Sequence, residues 1–310
     1  MLMLILSRAL QSCVALLVLS VVVFGLSRAS GDPVELMVPV DATQEARDVL
    51  RHTLGLDRSL AEQYVTFLTG ALSGDLGVSI RERRPALDLV FERLSNSAWL
   101  ALTAMTVALT LAIPLAVAAA VWKGTLIDAF ARYIAVLGQS MPTFFVGLVL
   151  IIVVSGRWGL LPAGGMESWQ SYVLPSITLG WFVVAGMMRL LRSSLLEVLD
   201  SEFVKLARIK GVPERVVIWK HALRNALISV VTLGGVYFAL LLSTAVIVET
   251  VFAWPGLGRL AYDAVRFRDF PVTQAVVLVT AVLVVTINLV VDFLYAWLDP
   301  RIRRSQSGGS

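Results

Sequence analysis

The side chains that could carry chemistry are few and widely separated. The chain has one cysteine, Cys13, and two histidines, His52 and His221. A cysteine-based metal site or a disulfide framework needs several such residues at short spacings, so we predict neither. The sequence has no Gly-Lys dipeptide, and therefore no phosphate-binding loop, and it contains neither His-Glu-x-x-His nor Gly-x-Ser-x-Gly. We predict no enzyme activity, no metal and no cofactor in this chain. If ATP drives it, another subunit must bind the ATP and Mg²⁺.

The composition indicates a membrane protein. Hydrophobic residues make up 57% of the 310 residues and charged residues only 15%, whereas soluble proteins carry about 25% charged residues. The mean hydropathy is +0.81. Residues 189–224 hold eight basic and four acidic side chains, which equals the whole net charge of +4. Because that block lies between apolar stretches, a membrane-flanking loop is favoured over nucleic-acid binding.

Six apolar stretches approach the roughly 20 residues that a membrane helix needs. They are about Leu10–Leu26, Ala98–Val121, Tyr133–Ser155, Val173–Met188, Ile228–Ala253 and Val272–Trp297. Pro114 and Pro142 interrupt the second and third. The fold class predicted is an all-α integral membrane protein with six transmembrane helices. We interpret the first stretch as an uncleaved helix, although a signal peptide cleaved after Ser27–Ala29 is the alternative.

Lysine and arginine in short loops predict the orientation. All four lysines fall on one side if the N-terminus is cytoplasmic, and both termini are then cytoplasmic. This divides the chain into a first transmembrane helix (1–28), an external segment (29–96), a five-helix core with a cytoplasmic loop at 189–227 (97–300), and a cytoplasmic tail (301–310).

Ionisable groups inside spans are functional candidates. Glu249 lies 25 residues after Arg224, about 37 Å along a helix, so we expect it at the outer rim, where a charge costs little. Asp292 lies about 10 Å inside the inner boundary, and with Asn288 it could form an intramembrane polar network. We favour structural pairing of Asp292 over a transport role.

The small number of ionisable residues inside the predicted spans indicates which energy source could drive transport. A proton-coupled transporter usually carries carboxylates or histidines near the middle of the membrane, and many secondary transporters contain internal repeats. Neither is evident, so a stand-alone secondary transporter is the alternative function rather than the preferred one. A membrane enzyme is disfavoured further, because no catalytic constellation is visible.

The loop at 189–227 is predicted to contain two short helices. Asp200 or Ser201 suits the N-cap of the first helix, Gly211 suits a left-handed end, and Pro213 suits the first position of the next helix. An apolar patch lies among basic side chains, and it consists of Phe203, Leu206 and Ala207 beside Lys205, Arg208 and Lys210. Such a patch favours a protein partner, and an interfacial helix on anionic lipid is the alternative.

The external segment contains a second amphipathic pattern. Apolar residues recur at helical spacing through 60–71. From the pattern alone we favour a packing cap over the outer mouth, and a docking surface for an external solute-binding protein is the alternative.

Several runs resemble one transporter family. The run from Phe203 to Gly211, followed by His221–Ala226, is similar to the cytoplasmic signature of permeases in the dipeptide/oligopeptide/nickel family of ABC importers. Further matching runs are Leu54–Asp57, Gln63–Tyr64, Gly74–Gly77, Trp158–Gly165, Val248–Phe252, Trp254–Arg259, Asp269–Val272 and Asp299–Arg301. The general importer signature is Glu-Ala-Ala-x-x-x-Gly. Ala207 and Gly211 fit its third and seventh positions, whereas Lys205 and Leu206 replace its Glu and first Ala, so the role of that Glu is not transferred.

The resemblance implies a function and a set of partners. The long segment after the first span resembles the first, B-type permease subunit, which forms half of a translocation pathway for peptides or related small solutes in the bacterial inner membrane. The implied partners are a second homologous permease, two cytoplasmic ATPase subunits or domains, and an external solute-binding protein. The residues implied to contact the ATPase are Phe203, Lys205, Ala207, Arg208, Lys210 and Gly211.

Overall fold

The computed structural model describes the backbone of residues 2–29, 31, 34–38 and 42–298. Within these ranges it describes all side chains except those of residues 2–9, 36, 232, 288 and 290–298. The predicted polar network of Asn288 and Asp292 and the predicted tail 301–310 therefore lie outside the described residues.

Helices make up almost all of the regular structure that is described. They are α1 (Leu2–Ala29), α2 (Val34–Met37), α3 (Gln44–Thr53), α4 (Leu60–Ser73), α5 (Ala86–Val121), α6 (Leu126–Ser140), α7 (Thr143–Leu150), α8 (Val173–Leu199), α9 (Glu202–Ile209), α10 (Glu214–Val216), α11 (Leu223–Val251), α12 (Leu257–Arg266) and α13 (Phe270–Leu298). A π-helical stretch, Ile151–Arg157, continues α7, and another, Val217–Ala222, joins α10 to α11. A 3₁₀ turn, Trp169–Tyr172, leads into α8.

The described helices match five of the six predicted spans, and the remaining one corresponds to two helices joined by a bend. By length and composition, five segments can cross a bilayer, and they are Leu10–Ala29, Ala86–Val121, Trp169–Leu199, Leu233–Val251 and Phe270–Ile287. Helices α6 and α7 pass the same test only as a pair, so the described residues hold five spans, or six if the pair is one span. The predicted all-α membrane fold is confirmed. The predicted third span corresponds to this bent pair, which is either a broken span or a re-entrant loop.

The bend between α6 and α7 measures 106° and lies at Met141 and Pro142. Proline lacks an amide hydrogen and disfavours helical angles for the residue before it. Met141 is accordingly extended, with φ −85° and ψ 125°. Pro114, by contrast, lies inside the continuous helix α5. Only one of the two prolines expected to interrupt a span therefore breaks its helix.

The described residues form two compact units. The first combines residues 1–96 with 255–289, and its apolar core joins the first turns of α5 to α12 and α13. The second contains residues 97–254, and its core is built from α5, α6, α8 and α11. Small residues bring helices of this second unit close together. A Cβ added at Gly138 of α6 would lie only 2.7 Å from the Cβ of Ala185 in α8.

Candidate functional site

A short helical hairpin, residues 200–216, follows directly from α8. Ser201 is the N-cap of α9 and has the extended backbone expected there (φ −70°, ψ 153°). Its hydroxyl donates to the Val198 carbonyl at 2.5 Å rather than accepting from an α9 amide. Glu202 lies in the first turn, where a negative charge stabilises the helix dipole. The hairpin is thus joined to the end of α8 through a short turn tied back to α8 itself.

The turn at Gly211 has the backbone that the sequence predicts. Gly211 has φ +74°, and its amide donates to the Arg208 carbonyl at 3.0 Å, while the Val212 amide donates to the Ala207 carbonyl at 3.1 Å. These two bonds define a Schellman motif, which requires a left-handed residue at its centre. Pro213 is the N-cap of α10 and not its first helical residue, a shift within the usual uncertainty of helix ends. The hairpin shape is therefore set by backbone hydrogen bonds.

One side of α9 presents large apolar side chains to its surroundings. Phe203 is 47% exposed, Leu206 50% and Ile209 82%. Val204, on the opposite side, is fully buried and anchors the helix, and Ala207 is half-buried. We call Phe203, Leu206 and Ile209 the apolar face. Ile209 was missing from the predicted site, although its three-residue spacing from Leu206 is the signal that places it on the same face.

Most charges of the hairpin are paired within it. Arg208 binds Glu214 through two hydrogen bonds, from Nε to Oε2 at 3.1 Å and from Nη2 to Oε1 at 2.7 Å. This pair lowers the pKa of Glu214 and raises the pKa of Arg208. The hydrogen bond from Lys205 to Glu202, at 3.2 Å, raises the pKa of Lys205, and Asp200 adds to the effect. Because the pKa of Glu214 is lowered, its stabilising pair is present at neutral pH and is lost only as pH falls through that lowered value.

A buried ion pair lies in the same unit as the hairpin. Asp128, in the first turn of α6, is 2% exposed. It accepts from Arg192 Nε at 2.8 Å, from Arg192 Nη2 at 3.0 Å and from the Gly124 amide at 3.0 Å. Arg132 approaches it at 3.6 Å from the surface. No sequence pattern links Asp128 to Arg192, which lies 64 residues later, so sequence reasoning did not find this pair.

The side chain of Glu249 is enclosed by protein and does not face water, whereas its height in the membrane stays a prediction. Glu249 is fully buried, and it accepts a hydrogen bond from the Ser97 hydroxyl at 2.5 Å. The chain turns directly after α11, and the Trp254 amide donates to the Glu249 carbonyl at 2.8 Å. Phe252 and Trp254 are also fully buried, and the Gly165 amide of the preceding loop donates to the Phe252 carbonyl at 2.9 Å. A rise of 1.5 Å per residue gives the height of a side chain along a helix, but it does not show whether that side chain is buried.

In the first unit, the predicted amphipathic stretch 60–71 is helix α4. Ser59 and Glu62 form a reciprocal capping box at its start. On one side the Tyr64 hydroxyl lies 2.9 Å from that of Ser20, and the Tyr64 ring meets Phe24 edge-on at 5.5 Å. Elsewhere on α4, Leu72 is 83% exposed. The helix is therefore packed on α1 and still presents apolar surface.

In the same unit, Asp269, just after α12, binds the turn at residues 79–81. Asp269 accepts from the Ser79 hydroxyl at 2.5 Å and from the Ile80 and Arg81 amides at 3.2 and 3.3 Å. The Arg81 guanidinium lies 4.0 Å from the centre of the Phe267 ring. A cavity of about 210 Å³ opens beside this turn. The hydrogen bonds to Asp269 therefore hold the loop that precedes α5.

The matched families cover almost the entire chain. Residues 1–114 match the N-terminal region of a binding-protein-dependent transport system membrane component. Residues 112–304 match the binding-protein-dependent transport system inner membrane component.

Individual relatives agree with this match. The glutathione transport system permease protein GsiC of Escherichia coli strain K12 is 42% identical over 300 residues, which are 96% of this chain and 98% of that protein. GsiC of Shigella dysenteriae serotype 1 has the same identity and coverage.

Two solved structures share the fold at low sequence identity. One is an amino acid ABC transporter crystallised with histidines, with a TM-score of 0.54, 17% identity and coverage of 67% of this chain and 92% of that one. The other is the MetNI methionine ABC transporter in an inward-facing form, with a TM-score of 0.54, 17% identity and coverage of 68% and 96%.

These findings settle the class of protein. They confirm the importer interpretation and do not support the stand-alone secondary transporter. The several apolar helices agree with a multi-pass protein of the inner membrane. The chain belongs to the family of binding-protein-dependent transport system inner membrane components, and it is a permease subunit of an ABC importer of the peptide class.

Proposed function

We propose that this permease forms half of a pathway that imports glutathione or other short peptides. Its 200–216 hairpin docks on a separate ATPase, and conformational changes of the ATPase during ATP binding and hydrolysis displace the hairpin. The apolar face of α9, held on a hairpin that is closed by its own backbone, is the observation that carries the proposal. The name of the 42% identical relatives supports glutathione as the first solute to test.

The charge pattern of the hairpin supports a protein partner over anionic lipid. A lipid-bound basic helix needs cationic side chains that are free to meet phosphates. Arg208 is paired with Glu214, and Lys205 is paired with Glu202 and Asp200. Among the described residues, only Lys210 of the three predicted contact cations has no ion-pair partner. Exposed apolar side chains on a preformed hairpin are instead typical of a docking surface.

The proposed assembly contains parts that this chain lacks. A second, homologous permease completes the pathway, two cytoplasmic ATPase subunits or domains bind ATP and Mg²⁺, and an external binding protein delivers the solute. Both termini and the hairpin are then cytoplasmic. The absence of a phosphate-binding loop in the sequence supports a separate ATPase.

The segment at 31–95 is proposed to contribute to docking of the binding protein. Helix α4 packs on α1 through Tyr64, which supports an ordered cap. The exposed Leu60 and Leu72 support a docking role in addition to the cap.

The hairpin is tested by two substitutions in a co-expressed complex. Ala207→Asp places a charge in an apolar contact, and Gly211→Val strains the left-handed turn by roughly 1 kcal/mol or more. We expect normal amounts of permease in the membrane, while ATPase that co-purifies with Ala207→Asp falls by roughly tenfold or more, because about 1.4 kcal/mol of lost contact energy is tenfold in affinity. Import of radiolabelled glutathione into proteoliposomes should fall for both.

Two further variants serve as controls. Gly211→Asn should keep most of the activity, because asparagine tolerates the left-handed region. Lys210→Gln should cost less than Ala207→Asp, whereas a lipid-bound hairpin predicts the opposite order. If Ala207→Asp and Gly211→Val both bind ATPase and transport like the parent, the assignment of the hairpin is wrong.

A further inference from the structure

The ion pair of Asp128 and Arg192 fixes α6 to α8 near the hairpin. The bidentate bonds to the carboxylate, 2.8 and 3.0 Å long, define both the distance and the orientation of the two side chains. The Gly124 amide, at 3.0 Å, ties the turn between α5 and α6 to the same carboxylate. Neither helix can slide or rotate past the other at this level while these bonds persist.

A second contact fixes the opposite end of the same interface. Gly138 of α6 lies against Ala185 of α8, so closely that a Cβ at Gly138 would meet that of Ala185 at 2.7 Å. The helices are antiparallel, because Asp128 lies opposite Arg192 and Gly138 lies opposite Ala185. The residues of α6 that are buried recur at spacings of three and four, and they are Asp128, Ala131, Ala135 and Gly138. Helix α6 is thus held on α8 along most of its length.

These contacts connect the hairpin to the bend at Pro142. Helix α8 passes into the hairpin through the turn at Val198 and Ser201, and α6 ends at the 106° bend, beyond which lies α7. We propose that the Asp128–Arg192 pair is a positioning contact that makes α6 follow α8, so that displacement of the hairpin by the ATPase changes the bend at Pro142. This inference rests on the proposed function, in which the hairpin meets the ATPase.

Burial explains why the pair is suited to persist through a transport cycle. Asp128 is 2% exposed and the Arg192 side chain 19% exposed. Separating them would leave the Asp128 carboxylate with only the longer Arg132 contact, at 3.6 Å, and the Gly124 amide, and would remove the partner of Arg192, which is unfavourable for charges held away from water. The pair therefore keeps α6 and α8 together. When α8 is displaced, the change in angle between α6 and α7 occurs at Met141 and Pro142, which make no regular helical turn.

The test uses the complete importer complex in lipid nanodiscs and proteoliposomes. Spin labels replace Val136 on α6 and Ile152 beyond α7, both of which are exposed, in a background in which the native Cys13 is serine. The variants are Arg192→Gln, Asp128→Asn, and the double variant Asp128→Leu with Arg192→Met, which removes the pair without leaving a buried charge. Arg189→Gln, at an exposed position on the same helix, is the matched control.

We expect all variants to bind the ATPase and hydrolyse ATP. In the parent and in Arg189→Gln, ATP should change the distance between the two labels. In the pair variants that change should be reduced or absent, and glutathione imported per ATP hydrolysed should fall by roughly fivefold or more, a typical coupling factor. A contact that only stabilises the fold would lower the amount of complex without changing import per ATP.

Two outcomes would overturn the proposal. One is an assembled double variant whose label distance responds to ATP, and which imports per ATP, like the parent. The other is failure of all three pair variants to assemble while Arg189→Gln assembles, because the pair then acts in folding alone. Failure of the proposed function is a separate result, since the parent itself would then bind no ATPase.

Discussion

Ala253 and Arg268 occupy the left-handed backbone region that glycine fills at the end of α9. Their φ values are 51° and 54°. Ala253 ends α11, where the Trp254 amide donates to the Glu249 carbonyl at 2.8 Å, and Arg268 ends α12, where the Asp269 amide donates to the Ala264 carbonyl at 2.8 Å. For a residue with a side chain, this backbone conformation costs about 1–2 kcal/mol of stability. Both turns direct a buried residue, Trp254 or Asp269, into its place.

Ala253→Gly should therefore stabilise the protein. Removing the left-handed strain of about 1–2 kcal/mol outweighs the added flexibility of the unfolded chain, about 0.4–1 kcal/mol. The measurement is the thermal midpoint of the detergent-solubilised complex. As a control, Ala129→Gly in the exposed part of α6 should destabilise by about 1 kcal/mol, because there glycine only adds flexibility to a helix. Equal losses for both variants would contradict the strain at Ala253.

Residues such as these mark the limit of what the sequence could predict locally. The left-handed turn at Gly211 was predictable because glycine between a basic helix end and a proline is a strong signal. The equivalent turn at Ala253 gives no such signal, because alanine is a good helix former. The burial of Glu249 was missed for a related reason, since this turn folds Phe252 and Trp254 back beside it.

At the scale of elements, the bend between α6 and α7 is the feature that most changes the predicted fold. Pro114 and Pro142 carry the same local signal, yet only Pro142 breaks its helix. Packing also holds the bend: beyond it, Gly147 of α7 lies so close to α8 and α11 that an added Cβ would approach Thr178 at 3.2 Å and Val251 at 3.4 Å. Such contacts join residues far apart in sequence, so a single sequence does not reveal them.

Pro142→Ala should loosen this bend without unfolding the permease. Alanine restores an amide hydrogen and allows helical angles at Met141, so the two helices gain access to a straighter arrangement. The mean distance between spin labels at Val136 and Ile152 should increase and its distribution should broaden. Pro114→Ala, in a helix that is already continuous, should leave that distance unchanged. An unchanged distance in Pro142→Ala would mean that packing alone sets the angle.

At the scale of the whole molecule, the family was predictable and the internal grouping was not. The matching runs are contiguous and occur in order along the chain, so they can be read from one sequence. The packing of residues 255–289 with the N-terminal segment and the pairing of Asp128 with Arg192 depend on contacts over long sequence separations. The orientation in the membrane rests on the lysine distribution and stays a prediction.

A reporter experiment decides that orientation. Green fluorescent protein fused after Arg304 should fluoresce, and alkaline phosphatase fused there should be inactive, because the tail is predicted to be cytoplasmic. Alkaline phosphatase inserted after Arg58, in the predicted external segment, should be active and serves as the reciprocal control. The reverse pattern would place the 200–216 hairpin on the wrong side for an ATPase and would remove the basis of the proposed mechanism.

The Schellman turn at Gly211 also has an evolutionary consequence. It closes through backbone groups of Ala207, Arg208, Gly211 and Val212, so the shape of the hairpin does not depend on the identity of Phe203, Leu206 or Ile209. Those three positions are exposed, so if they meet an ATPase as proposed, they can change together with its surface. Under that proposal, a few substitutions at these positions would change which ATPase a duplicated importer binds, while the backbone turn that presents them is kept.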